Sequence, residues 1–203
     1  MADNTNNRAF QNMRQDALHM LEGKQPELIA KRAGVIYDAE KQEFLVPSLG
    51  KKYRFSFPGY EESEEMDTWH HLSVLHYLNL ADGTPAAESP CSFGELPDGL
   101  VRGGKFDRTA AEALGRFLSR HTEAEVRARV LELGGEIIDG KADLSVRLPY
   151  LPQYPVFINI WFADEEFPAS ARMLVDKNSW HNFTIEDAVT VGEYILRVLE
   201  VEK

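Results

Sequence analysis

The chain has 203 residues, of which 43% are hydrophobic and 27% charged, and these values indicate one globular domain of a soluble protein. Its formal net charge is −11, and its lysines and arginines are scattered among the acids, which disfavours binding to nucleic acid or to an anionic membrane surface. The single cysteine, Cys91, excludes an internal disulfide and any metal site built from cysteines alone. No signal-peptide pattern and no long apolar run occur, so the sequence predicts a cytoplasmic protein.

The first part of the chain predicts helices on either side of a small sheet. Apolar residues three and four apart indicate a helix from Arg8 to Gly23, and Pro26 opens a second one that closes at Gly34. Three β-prone runs follow, the last of which alternates between Lys51 and Phe57, and they predict an antiparallel meander. A third helix carries an apolar stripe from Met66 to Leu78.

A long connection from Thr84 to Gly104 opens the second part of the chain, and it is rich in glycine, proline and serine. Asp107 is predicted to cap the next helix, and a capping box at Thr122 opens another. Residues 142–148 alternate as a strand does, and residues 149–155 are interpreted as a proline-rich bridge to the strand that follows.

The most informative stretch of the sequence runs from Pro155 to Asp187. An apolar run that includes Trp161 predicts a buried central strand, and the consecutive acids Asp164-Glu165-Glu166 follow it in a loop. A returning strand then ends on Asp176, and the C-terminal helix is predicted to begin just after Thr184.

These elements together predict an α+β fold with an N-terminal helical segment. The sheet is expected to be antiparallel, or partly mixed, with helices packed mainly on one face. Residues 1–7 are small and polar and are expected to be flexible, whereas residues 8–203 are predicted to form a single domain.

Several short motifs follow one another in an order that is typical of a single family. They are Leu75-His76-Tyr77-Leu78, Ser92-Phe93-Gly94-Glu95-Leu96-Pro97, Ala142-Asp143-Leu144-Ser145, Asp164-Glu165-Glu166-Phe167-Pro168-Ala169 and Leu174-Val175-Asp176. Through them the chain, from Ala30 onward, resembles the domain of unknown function 3786 family, which occurs mainly in anaerobic bacteria and archaea. The resemblance implies a fold and no activity. Relatives tend to belong to organisms that use corrinoid and iron–sulfur enzymes, but this chain lacks the cysteines of an iron–sulfur segment, so the resemblance implies no redox role for it.

The acids of Asp164-Glu165-Glu166 are open to three interpretations. They can form a solvated turn in which one carboxylate accepts backbone N–H bonds. They can supply oxygen ligands to Ca²⁺ or Mg²⁺, with Asp176 joining them if the strand register allows. A pair of them can also serve as general acid and base.

The histidines and glycines give no standard catalytic or metal-binding spacing. His76 lies on the third helix and His181 beside Trp180, and each is interpreted as a packing residue, a base or ligand contact, or a single axial ligand to haem or corrinoid. No zinc spacing and no phosphate loop occur, and Gly103-Gly104 is interpreted as a turn.

The sequence thus predicts a cytoplasmic accessory or binding domain that binds a small molecule, a metal ion or a partner protein near the Asp164–Phe167 loop. The candidate contact residues are Asp164, Glu165, Glu166, Asp176, His76, His181 and Trp161. One alternative is an enzyme that uses these carboxylates and histidines as acid–base groups. The other is a structural interaction module, which would carry a large exposed apolar patch and no pocket.

Overall fold

A computed structural model of the protein describes residues 8–200. Residues 1–7, which are predicted to be flexible, lie outside this range. The described part is an α+β fold with six α-helices and eight β-strands, as predicted. The strands are antiparallel, as predicted, and they form two sheets, one of three strands and one of five.

The elements follow one another along the chain as helices around two groups of strands. The helices are α1 (Arg8–Leu21), α2 (Pro26–Ala33), α3 (Thr68–Leu80), α4 (Gly99–Leu118), α5 (Glu123–Glu132) and α6 (Ile185–Glu200). The strands are β1 (Ile36–Asp38), β2 (Glu43–Ser48), β3 (Lys51–Ser56), β4 (Pro90–Cys91), β5 (Glu136–Ile138), β6 (Leu144–Leu151), β7 (Tyr154–Trp161) and β8 (Ser170–Asp176).

The smaller sheet is the predicted meander, with strand order β1-β2-β3. Tyr53 and Phe55 are buried and alternate with exposed residues, as the period-two pattern predicts. This sheet joins the larger one through a backbone hydrogen bond from Leu49 N to Pro149 O, 2.9 Å long.

The larger sheet has the order β4-β8-β7-β6-β5, so β7 is its central strand, as predicted. Residues 149–155 do not form a bridge between strands. They close the β6–β7 hairpin, in which Pro149 is paired with Pro155 and the register shifts between Pro149 and Leu151. Prolines are tolerated in strands at such irregularities, which explains why their presence misled the sequence-based prediction.

Helix α3 lies in the middle of the helical layer and packs against α1, α2 and α6. Asp67 caps it by accepting hydrogen bonds from Trp69 N (3.0 Å) and His70 N (3.2 Å). The helix is buried on almost every side, so its histidines enter the interior as well as its apolar stripe. Within residues 8–200, no helix is both long enough and apolar enough to cross a lipid bilayer.

Helix α4 begins at Gly99, eight residues before the predicted cap at Asp107. Asp107 instead lies inside the helix, where its carboxylate accepts hydrogen bonds from Phe93 N (3.0 Å) and Gly94 N (2.9 Å). Gly103 is likewise helical, and the Phe93 carbonyl occupies the space that a Cβ there would need. The glycines interpreted as a turn therefore let the preceding segment pack closely against the helix.

Candidate functional site

The acidic loop between β7 and β8 forms a solvated turn that satisfies its own backbone. Asp164 Oδ1 accepts hydrogen bonds from Phe167 N (2.7 Å) and Glu166 N (2.8 Å), and these bonds lower the pKa of the Asp164 carboxyl. The side chains of all three acids are exposed, and none of them lines any of the four clefts described below. Of the three interpretations, this geometry favours the solvated turn.

Asp176 lies at the other end of β8 from the acidic loop. The strand is seven residues long, which at about 3.3 Å per residue puts roughly 20 Å between its ends. Asp176 is fully buried, and its carboxylate accepts hydrogen bonds from the backbone N–H groups of Ala87 (2.8 Å), Ser89 (3.0 Å) and Asn178 (2.9 Å). These contacts attach the loop before β4 to the sheet and leave Asp176 apart from the other predicted acids.

His76 forms a partly buried pair with Asp187 at the start of α6. Its Nδ1 donates to Asp187 Oδ1 at 2.5 Å, while Asp187 Oδ2 accepts from Thr184 Oγ1 at 2.7 Å. Burial alone would raise the pKa of Asp187, but the bonds from His76 and Thr184 outweigh it and hold that pKa below its usual value. The pair therefore joins α3 to the capped end of α6, and His76 Nε2 is not used in it.

His181 forms a second pair of the same kind, with Asp82. Its Nδ1 donates to Asp82 Oδ2 at 2.7 Å, and this bond lowers the pKa of Asp82 to about 2. The Trp180 ring lies against the imidazole, with the ring centroids 3.7 Å apart. Asp82 precedes His181 by 99 residues, and only the tertiary fold brings the two together.

Beside this pair lies a cleft of about 300 Å³ between the end of α3, the segment before α4 and the start of α6. Its walls are mostly apolar, with a few polar groups among them, which is the usual make-up of a binding site. The lining residues are Leu80, Leu96, Pro97, Asp98, Trp180, His181, Phe183, Thr184 and Ile185. Of the residues predicted to bind a ligand, only His181 lines this cleft.

Large apolar side chains are exposed around the same cleft. Leu100 and Val101, at the start of α4, are 86% and 81% exposed, and Trp180 is 51% exposed. Asp98, which lines the cleft, precedes Leu100 by two residues, so Leu100 and Val101 follow the cleft wall directly in the chain. We call this region the Trp180 surface; its residues are Leu80, Pro97, Leu100, Val101 and Trp180.

Three further clefts are lined by different residues. The largest, about 590 Å³, runs between α4 and α6, where Arg102, Glu193 and Arg197 line it together with Trp69 and Tyr194. Arg102 and Arg197 already pair with acids there or nearby. Trp161, another of the predicted contacts, lines a groove beside β8. The candidate residues are therefore distributed over several faces of the molecule.

The described residues contain no group of three or more His, Cys, Asp or Glu side chains arranged to hold a metal ion. Cys91 is buried, and burial raises the pKa of its thiol to about 11, which disfavours the thiolate that binds metals. A haem- or corrinoid-type ligand does not fit the cleft beside His181, whose volume is at the lower limit for small-molecule sites.

A family model matches residues 25–198, most of the chain. Its description is "Domain of unknown function (DUF3786)". The chain belongs to this family. The membership agrees with the resemblance of its short motifs, and no curated protein and no solved structure matches the chain. The description of this DUF3786 family assigns no activity, so functional inferences come from the geometry of the domain's surface.

His70 is a buried polar residue that the sequence did not single out. Its ring lies among those of Tyr53, Tyr150 and Tyr194, and its Nε2 is 2.8 Å from Ser48 Oγ. Because the Ser48 hydroxyl already donates to the Tyr150 carbonyl, His70 Nε2 must be the donor to Ser48. Nδ1 has no partner, so a proton added there would be buried without an acceptor, and burial lowers the pKa of His70 to about 4.

This environment predicts that the DUF3786 domain loses stability as the pH falls. His70 takes up a proton near pH 6.5 when unfolded and near pH 4 when folded, so its contribution is complete above pH 6.5 and is lost between those values. The loss amounts to about 3 kcal/mol of the free energy of unfolding. Urea denaturation of the protein and of His70→Gln between pH 4 and 7.5 measures it.

The His70→Gln variant should show a shallower pH dependence, not a flat one, because burial also lowers the pKa of His71. His19→Gln is the matched control, since His19 is exposed on α1 and should leave the slope unchanged. Equal slopes for the protein and His70→Gln would contradict the prediction.

Proposed function

We propose that this DUF3786 domain is a binding module that docks a partner protein on the Trp180 surface. One observation carries the proposal: the exposed side chains of Leu80 and Trp180 line a mainly apolar cleft, and the segment that forms its wall at Asp98 continues into Leu100 and Val101, which are more than 80% exposed. Single exposed apolar residues are ordinary, but a concentration of them around a hollow is typical of protein-interaction sites. A volume of about 300 Å³ suits one or two inserted side chains.

The charges around the cleft indicate the chemistry of the partner. Asp98 is exposed on its rim, Asp82 is half exposed behind His181, and the whole chain has a net charge of −11. A partner segment with an apolar anchor and flanking lysines or arginines complements such a surface. A second copy of the chain would bring together like charges, so we assign the surface to a basic amphipathic segment of another protein.

This proposal places binding away from the acidic loop. The loop's one exposed large apolar side chain is Phe167, and Asp164 already accepts two backbone hydrogen bonds, so the loop offers less to a partner than the Trp180 surface does. Binding near Asp164–Phe167 remains a prediction, as does the cytoplasmic location.

Acid–base catalysis is a second candidate function, and the two histidine–carboxylate pairs favour it. In each pair the carboxylate holds Nδ1, which orients the ring and leaves Nε2 for proton transfer. Of the two histidines only His181 lines the cleft, so His181 would be the base. Catalysis would then depend on His181 and Asp82, whereas docking depends on the apolar rim.

A model peptide tests the docking proposal. In a protein carrying Trp69→Phe and Trp161→Phe, Trp180 is the remaining indole, and its fluorescence reports binding directly. We expect an amphipathic helical peptide of leucine and lysine to bind, and one of leucine and glutamate to bind at least about tenfold more weakly. Replacing both Leu100 and Val101 by serine should weaken binding of the lysine peptide by about tenfold or more.

Leu131→Ser is the matched control, because Leu131 is 55% exposed on α5, outside the Trp180 surface, and should bind the peptide normally. Equal binding of both peptides, or no effect of the Leu100 and Val101 changes, would overturn the proposal. Analytical sedimentation would also overturn the proposal if the protein self-associates and the Leu100 and Val101 double variant does not. The Trp180 surface would then bind a second copy of the chain.

A further inference from the structure

A groove runs between α4 and β8, on a part of the molecule that the Trp180 surface does not include. It consists of two hollows of about 450 and 470 Å³ that lie side by side, because Ala111 and Arg172 line both of them. Met173 and Leu174 contribute apolar walls to one hollow, and Trp161 contributes an aromatic ring to the other. Their volumes lie within the range of small-molecule sites.

Two cationic side chains line this groove without a carboxylate partner. Arg108, on α4, and Arg172, on β8, are both exposed, and no ion pair involves either of them within residues 8–200. Other arginines of this acidic chain pair with acids, as Arg54 does with Glu64 and Arg147 with Glu88. Two unpaired guanidinium groups that line the same hollow are suited to an anion.

The two acids in the same groove are engaged by neighbouring donors in the segment before α4. Glu95 accepts hydrogen bonds from Ser92 N (2.8 Å) and Ser92 Oγ (2.7 Å). Asp107 accepts from Phe93 N and Gly94 N through both of its oxygens. Neither acid pairs with Arg108 or Arg172, so the two guanidinium groups keep their donors for a ligand.

We propose that the groove binds a small organic anion, with a phosphate or carboxylate group between Arg108 and Arg172. The guanidinium groups supply paired N–H donors to the anionic oxygens. The apolar part of the ligand would extend from Arg172 toward Trp161, which lines the adjoining hollow and can pack against an aromatic group. Trp161, predicted from sequence as a contact near the acidic loop, acquires this role through the groove and not through the acids.

Three small molecules test the anionic and the aromatic parts of the proposed ligand separately: phenyl phosphate, inorganic phosphate and phenol. Titration of the full chain, followed by backbone amide chemical shifts, should show phenyl phosphate binding more tightly than inorganic phosphate, and phenol not binding. Arg108→Gln and Arg172→Gln should each weaken the binding of phenyl phosphate by about tenfold, since each substitution removes charge-assisted hydrogen bonds to the phosphate. Trp161→Leu should reduce its affinity toward that of inorganic phosphate.

Arg116→Gln is the matched control, because Arg116 is also exposed on α4 but lines the cleft beside α6. It should leave the affinity unchanged. Equal weakening by Arg116→Gln and Arg108→Gln would show general surface charge and overturn the proposal, as would the absence of shifts at Ala111 and Arg172. The Leu100 and Val101 serine variant should bind phenyl phosphate normally, so this test and that of the docking proposal can fail separately.

Discussion

Replacing Asp176 by alanine should lower the free energy of unfolding by about 3–5 kcal/mol. The substitution leaves the backbone N–H groups of Ala87, Ser89 and Asn178 without their acceptor at a carboxylate that is fully buried. Domains of this size are commonly stable by only about 5–15 kcal/mol, so the variant should be close to unfolding at room temperature. Urea denaturation followed by circular dichroism measures the change.

Asp164→Ala is the matched control for Asp176→Ala. Asp164 also accepts two backbone N–H bonds, but in an exposed turn where water can replace the carboxylate. Its replacement should therefore have a much smaller effect on stability. If the two variants were equally stable, Asp176 would not anchor the loop before β4, and its prediction as a ligand contact would regain support.

The contrast between these two aspartates shows which part of the site the sequence could predict. The acids after β7 stand out in the sequence because they are consecutive, but consecutive acids repel one another and are therefore readily exposed to solvent. Asp176 gives a weaker signal in the sequence, although its buried hydrogen bonds make it structurally more important. Its partners Ala87 and Ser89 precede it by more than 80 residues, and no local pattern reports such a contact.

Local signals predicted much of the fold correctly. Alternation located β3, and the spacing of Thr184 and Asp187 located the start of α6, where Thr184 N and Oγ1 both donate to Asp187. The apolar run of β7 also indicated a central strand. These features depend on neighbours in the chain, which is why one sequence suffices to predict them.

The features that the sequence did not predict depend on contacts between distant segments of the chain. His181 was a candidate, but its partner Asp82 was not, since only the tertiary fold brings their loops together. Leu100 and Val101 lie in a glycine-rich segment that resembles a loop, so their exposure on a helix was not expected. A sequence pattern distinguishes buried from exposed apolar residues only where the helix itself has been recognised.

The sequence did not predict the start of α4 because the segment contains several glycines. Glycine lowers helix propensity by about 1 kcal/mol relative to alanine, so Gly99, Gly103 and Gly104 argued against a helix. The fold tolerates them because the segment at Phe93 approaches the helix backbone closely. Gly103 and Gly104 are adjacent, but only the first faces that segment, which makes them a matched pair for experiment.

Gly103→Ala should lower the free energy of unfolding by about 2–3 kcal/mol, whereas Gly104→Ala should raise it by about 0.5–1 kcal/mol. A Cβ at Gly103 overlaps the Phe93 carbonyl and lies 2.9 Å from Gly94 N, and both obstacles are backbone atoms that cannot rotate away. At Gly104 nothing lies within 4 Å of the added carbon, so the gain in helix propensity remains. Denaturation midpoints of the two variants compare them directly, and stabilisation by both substitutions would mean that propensity, not packing of Phe93 against α4, determines this helix.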